Sequence, residues 1–231
     1  MQGMQRSMLR WLKIRTCVGF AVSLMVLSVL AGCATDGKVK PAPVVQEPQV
    51  AKGPSVERLA DGREGFIIME IPQMDEASRR DFDRAVAMLN DEEYGQAIDL
   101  LEKIIEKSPG VTAPYIDMAI AYRHIGKLEQ AEDHLKTALH LVPEHPAACN
   151  EYGLLYRKTG RFAEARTIYE NVIARFPDYY PVHRNLGILC DLYLNDLTCA
   201  LDHYEIYSEA MPDDKQVKSW IADLRTRLGY N

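Results

Sequence analysis

Four prolines, Pro109, Pro143, Pro177 and Pro212, recur at spacings of 34, 34 and 35 residues. Between them the sequence repeats itself. Ala119, Tyr122, Gly126 and Ala131 stand 34 residues before Gly153, Tyr156, Gly160 and Ala165. A fixed period in this range makes each interval one supersecondary unit, unable to bury its apolar face alone and completed by its neighbours. The unit reads as two helices. Cys149, Tyr152, Gly153 and Tyr156 recur as i, i+3, i+4 and i+7, one face of a first helix. Gly160 breaks that helix, since glycine tolerates the left-handed conformation common after a helix end. Ala165, Tyr169 and Val172 mark one face of a second helix, and Pro177 ends it because proline cannot continue the hydrogen-bond ladder. Gly153 and Ala165 are small, which predicts a close approach of the two helix backbones, with Tyr156 and Tyr169 filling the space beside it.

This pattern resembles the tetratricopeptide repeat (TPR) family across residues 78–212, in units 78–111, 112–145, 146–179 and 180–213. The second unit matches at Tyr115, Ala119, Tyr122, Gly126, Ala131, Ala138 and Pro143, and the third at Gly153, Tyr156, Gly160, Ala165, Tyr169 and Pro177. The first keeps Ala85, Ala97 and Pro109 but has no glycine at its turn, NDEEYG; the fourth keeps Leu186, Gly187, Ala200, Tyr204 and Pro212, with one extra residue in its turn. The resemblance implies an all-α fold, a right-handed α-solenoid of about four TPR helical hairpins plus a C-terminal capping helix. For that cap, residues 213–231 offer Asp213 or Asp214 as a helix start, Gly229 as a stop, and one apolar stripe of Val217, Trp220, Ile221, Leu224 and Leu228 among charges.

The N-terminus carries a different signal. Arg6, Arg10, Lys13 and Arg15 precede the apolar run CVGFAVSLMVLSVLAGC, which marks residues 1–32 as a secretory signal peptide. Its end, Leu30-Ala31-Gly32-Cys33, looks like the lipobox of bacterial lipoproteins, in which the cysteine becomes the first residue and carries lipid. The residue after it is Ala34 rather than aspartate, which by that family's sorting rule implies the outer membrane, facing the periplasm of a Gram-negative cell. Several acyl chains on one cysteine anchor stably where one alone is marginal. The expected mature chain has 23 basic against 33 acidic side chains, since four of the 27 lysines and arginines lie in the signal. Such an acidic chain is a poor nucleic-acid binder, because that binding rests on neutralising phosphates.

Residues 33–57 are rich in proline and small polar residues and read as a disordered leash behind the lipidated cysteine. Residues 58–77 contain GREGFIIMEIP, too apolar for a free tail and short enough to favour strand or extended chain. This segment is expected to pack on the first repeat; a partner-binding role is the alternative.

No GxSxG, HExxH, P-loop or CxxC motif is present, and the five serines after Cys33 sit in linker, cap or helix-end contexts. No enzyme, cofactor, metal site or small-molecule substrate is expected. The six histidines are scattered and read as ordinary surface residues. In the TPR mapping Cys190 and Cys199 fall on facing helices of the fourth hairpin, so a disulfide between them is expected in an oxidising compartment. The alternative is that both, like Cys149, are small core residues.

TPR proteins usually bind extended or helical segments in a concave groove lined by first helices. Mapped here, the groove positions are Phe82, Val86 and Leu89, then Ile116, Ile120, Arg123 and His124, then Asn150, Leu154, Arg157 and Lys158, then Arg184, Ile188 and Asp191. Arg123, Arg157, Lys158 and Arg184 form a basic stripe, which favours a partner segment bearing acidic and apolar residues; solvated helix-face charges are the other reading. The resemblance thus implies a non-catalytic adaptor anchored by lipid, with envelope proteins as partners. Lipid-anchored TPR proteins include pilotins of type IV pili, which typically carry six repeats, and a pilus or secretion accessory is the first specific candidate. A localiser or regulator of a cell-wall enzyme is the alternative.

Overall fold

The computed structural model describes residues 55–58, 66–69 and 73–230. The expected signal peptide, the lipobox cysteine Cys33 and the leash up to residue 54 lie outside the described residues. Two short strands come first: β1, Ser55–Arg58, pairs antiparallel with β2, Phe66–Met69, with Ser55 opposite Met69 and Arg58 opposite Phe66. The apolar segment is therefore extended over Phe66–Met69, as its composition suggests, and its strand partner begins in residues assigned to the leash, Ser55 to Glu57. Of its packing on the first repeat, the described residues show that Ile68 is half-buried.

Nine α-helices follow among the described residues. They are α1 (Glu76–Asn90), α2 (Tyr94–Lys107), α3 (Thr112–His124), α4 (Leu128–Leu141), α5 (Pro146–Lys158), α6 (Phe162–Arg175), α7 (Tyr180–Leu189), α8 (Leu197–Ala210) and α9 (Lys215–Arg227). A π-helical turn, Cys190–Leu194, extends α7. Successive pairs form the four hairpins, and each hairpin packs on the next. The interior first helices are sandwiched: nine of the thirteen residues of α3 are buried. Its Met118 and Ala121 join the core of α1 and α2, while its Ile116 and Ala119 join the core shared with α4 and α5.

The hairpin turns show why the first unit dispenses with glycine. Glu92, Gly126, Gly160 and Asn195 all adopt positive φ, at 64°, 80°, 77° and 52°. Each closes its first helix by the same device. Backbone N–H groups of Glu93, Lys127 and Arg161 donate to the carbonyls five residues back, on Met88, Tyr122 and Tyr156. In the fourth unit Asp196 N–H reaches six residues back, to Cys190 O, and the π-helical turn takes up the extra residue. The Cys190–Cys199 disulfide joins this widened turn to the start of α8, with Cα atoms 6.0 Å apart.

Tyr169 fills the space beside Gly153 as the sequence suggests, and Tyr204 does the same at Gly187. A Cβ on Gly153 would lie 2.2 Å from Tyr169 Cε1, and one on Gly187 would lie 2.5 Å from Tyr204 Cδ1. The missing side chain makes room for a tyrosine ring from the second helix. Adjacent units are also tied at one repeated position. Tyr115 hydroxyl donates to Pro109 O at 3.1 Å, and His183 Nε2, 68 residues on, meets Pro177 O at 2.9 Å. The cap forms as its stripe predicts: Asp214 accepts from the N–H groups of Gln216 and Val217, and Val217, Ile221 and Leu224 are buried. Trp220 packs against Tyr204 with the ring planes tilted by 39° and the centroids 5.2 Å apart.

Candidate partner-binding face

The first helices α1, α3, α5 and α7, with the turn after α7, carry the residues assigned to the groove, but not as an open row. Phe82, Ile116, Asn150, Leu154, Arg184 and Ile188 are buried between helices. Val86, Ile120, Arg123, His124 and Arg157 are half-buried, and Lys158 is exposed. Leu89 is buried and Asp191 half-buried, held by Arg227 of α9 at 2.8 Å.

The expected basic stripe is thereby corrected. Arg123 turns inward because the next first helix offers a carboxylate: its Nη2 lies 3.0 Å from Glu151 Oε2, with the two side chains only 18% and 7% exposed. Arg184 turns toward the cap, with Nε 3.9 Å from Asp214 Oδ2 and its guanidinium 5.2 Å from the Trp220 ring centroid. Arg157 reaches Asn185 O at 3.4 Å, and Lys158 Nζ donates to Arg123 O at 2.8 Å. These contacts form a ladder along the first helices, completed by Asn185 Nδ2 donating to Asn150 Oδ1 at 2.8 Å.

Sequence reasoning missed two members of the row beside the chosen one, Asp117 and Glu151. Asp117, Glu151 and Asn185 stand 34 residues apart, so the period itself was the available signal. All three are buried. Asp117 has no hydrogen-bond partner for either carboxyl oxygen among the described residues. Burial, and then the neighbouring Glu151, push its carboxyl up to about 8, so at neutral pH it holds its proton.

The histidines are less exposed than expected, with His124, His134 and His203 half-buried. His145 and His183 are buried, and only His140 is exposed. His145 Nδ1 accepts from Ala148 N–H at 3.4 Å and caps α5; burial holds its ring down to about 4. His124 stacks on Tyr94 at 4.7 Å, with the Tyr94 hydroxyl 3.0 Å from its Nδ1. Burial, then the Arg123 and Lys158 charges, hold His124 down to about 4 as well. Nδ1 atoms of His183 and His203 lie 3.1 Å apart, and burial lowers both rings. A close group of metal-type donors among the described residues is Cys190, Asp196 and Cys199, but its two sulfurs are bonded to each other.

Four helical hairpins stacked around continuous cores, each first helix read by its neighbours at a 34-residue interval, define an α-solenoid of the kind that presents one helix face to other proteins. Residues 88–151 and 126–186 match the tetratricopeptide repeat family. The chain is a tetratricopeptide repeat protein. Over 78 residues it is 35% identical to the photosystem I assembly protein Ycf3 of Synechococcus sp. (strain CC9605), a match that covers 32% of this chain and 45% of that protein. The chain thus spans less than half the length of that relative. Among solved structures it is similar to PilF of Pseudomonas aeruginosa, with a TM-score of 0.60 and 21% identity over 66% of this chain and 69% of that one. It is also similar to a thermophilic TPR protein of Thermus thermophilus, with a TM-score of 0.58 and 22% identity over 64% of this chain and 81% of that one. At such identities the structural likeness establishes the fold.

Proposed function

We propose that this protein is a non-catalytic docking scaffold, lipid-anchored through Cys33 at the outer membrane, whose first-helix face holds a segment of an envelope protein. The observation that carries the reading is the ladder on α3, α5 and α7: polar and charged side chains are fixed across three repeats beside the half-buried Ile120, His124 and Arg157 and the exposed Lys158. Such a fixed surface recognises a partner without first ordering itself, which lowers the entropy lost on binding. An assembly protein among its relatives agrees with a role in building a membrane complex. A pilus or secretion accessory is the specific form we favour, because the signal and lipobox residues address the chain to the envelope. Confinement at one membrane would then supplement a small interface by raising effective concentration.

The test is a photoreactive amino acid at Lys158 in living cells, followed by mass spectrometry of the adducts. One dominant envelope protein, lost when Arg157 is reversed to glutamate, is expected. No specific adduct from Lys158 or His124, in a chain that folds and fractionates with membranes, overturns the groove assignment. Recovery of a Cys33→Ala chain in the same membrane fraction overturns the anchor.

A further inference from the structure

The group that the first-helix face leaves unmet is an acid. Asp117 of α3 is completely enclosed, and neither carboxyl oxygen has a hydrogen-bond partner among the described residues. Glu151, at the same repeat position on α5, is its electrostatic neighbour and is held by Arg123. The Tyr169 hydroxyl, whose ring enters past Gly153, is also buried and unmatched, and it can accept a hydrogen bond. Arg157, Glu151 and Arg123 all act electrostatically on that hydroxyl. Buried polar groups in folded proteins are almost always bonded, and each exception calls for an explanation. Of the seven such side-chain atoms among the described residues, Asp117 alone supplies two, both acceptors.

The charges around them decide the sign of that partner. Arg123 and Arg184 already face carboxylates of this chain, Glu151 and Asp214, whereas neither oxygen of Asp117 has a partner among the described residues, so the group left over is an acid. The whole chain carries a formal charge of −6, which attracts cations at long range. The charged and titratable groups facing the site are Glu151, Arg123 and Arg157 from first helices, Tyr169 from α6, and Tyr179 before α7, which Glu151 also perturbs. An arginine or lysine side chain brings donors and no acceptor, the complement of carboxyl oxygens and a phenolic oxygen.

We propose that Asp117 and Glu151, with the Tyr169 hydroxyl beside them, form a receptor for a basic side chain, an arginine or lysine presented by the partner segment. This rests on the docking function proposed above and names its chemistry. In the unliganded face Asp117 is enclosed and keeps its proton; when the cation parts the covering side chains and enters, that proton leaves to solvent and a buried ion pair with hydrogen bonds replaces a neutral acid.

The test uses the full-length protein with carboxyl carbons labelled with carbon-13, observed by NMR at pH 7. The probes are ethylguanidinium chloride and sodium propionate at matched ionic strength. Ethylguanidinium is expected to move the Asp117 resonance saturably toward its ionised position and to lower its titration midpoint by about one to three pH units, the range that an opposite charge in contact produces. Asp117→Asn is expected to remove the saturable response at Glu151. A saturable response to propionate alone overturns the proposal in favour of an acidic partner. Response to neither probe overturns it in favour of a resident water on Asp117. If Asp117→Asn does not fold, the contrast between the two probes on the unaltered protein still decides. A silent ethylguanidinium titration with an intact Lys158 crosslink removes the cation receptor alone; the reverse pair of results removes the docking function and keeps the site.

Discussion

Replacing Gly153 with alanine tests the packing of the third hairpin most directly. The new methyl would stand 2.2 Å from Tyr169 Cε1, 2.5 Å from Cζ and 2.8 Å from Cδ1. Ordinary carbon contacts begin about 1.2 Å farther out than the first of these, near 3.4 Å. Tyr169 is fully buried among residues such as Ala165 and Val172, so its ring has no solvent to swing into. Either α5 and α6 separate or the ring leaves its slot. Overpacking of this kind costs about 1–3 kcal/mol, and the enclosure of the ring argues for the upper end. Alanine in a helix interior returns about 1 kcal/mol relative to glycine. A net loss of about 2 kcal/mol remains, or roughly 4–8 °C in melting temperature for a chain of this size. Thermal denaturation followed by circular dichroism reads it. Gly95→Ala in α2 is the control, because nothing lies within 4 Å of a Cβ there; it is expected to gain a few tenths to about 1 kcal/mol. In a double-mutant cycle with Tyr169→Leu, the double mutant is expected to lose less than the sum of the two single losses. A Gly153→Ala protein as stable as the parent would refute the argument, since the ring would then not occupy the slot.

Glu92 holds a left-handed conformation without glycine, so Glu92→Gly is expected to stabilise by about 0.5–1 kcal/mol, read as a higher urea midpoint; a lower midpoint contradicts the strain assigned to that turn. Cys190 and Cys199 are nine residues apart, and opening the bridge with Cys199→Ser is expected to cost about 2.5 kcal/mol by loop-closure entropy. Alkylation of the denatured chain without reductant labels Cys149 and neither bridged cysteine; labelling at all three disproves the bridge. His145 is held down to about 4 in the fold against 6.5 in the unfolded chain, so the folded state binds fewer protons between these values. Stability from this group is complete above pH 6.5, falls as pH drops toward 4, and loses up to about 3 kcal/mol. His145→Asn keeps a cap and is expected to flatten that part of the urea-midpoint profile; an unchanged slope between pH 7 and 4.5 tells against it.

What could be read in advance followed the period. Pro109, Pro143 and Pro177 locate the units because a repeated packing problem needs the same residue at the same place, and the cap stripe from Val217 to Leu228 is visible for the same reason. Glu92 was not legible as a turn residue, because a left-handed glutamate is set by the hydrogen bonds around it rather than by its own preference. The face was legible in outline only. Family positions pick out Arg123 and Arg184, yet whether a guanidinium faces solvent depends on what stands 28 or 30 residues on. Glu151 and Asp214 are those residues, and their approach is a matter of helix spacing that no local pattern records. The histidines were misjudged likewise: His183 shares a repeat position with Tyr115, and its ring bonds the preceding unit as the tyrosine does.

The widened turn at Cys190–Leu194 acts as a length adjuster. One additional residue enters the fourth unit, a single hydrogen bond lengthens its span from five residues to six, and α8 and α9 resume in step. Because the bridge to Cys199 pins the adjusted turn, the slack is not passed down the array, and Leu192 and Tyr193 project from it, 68% and 46% exposed, with Tyr193 resting on Phe162 of the previous unit. A stack of otherwise uniform joints thereby acquires one joint with its own shape, so the array has a marked end, and whatever reads its surface can tell which way it runs.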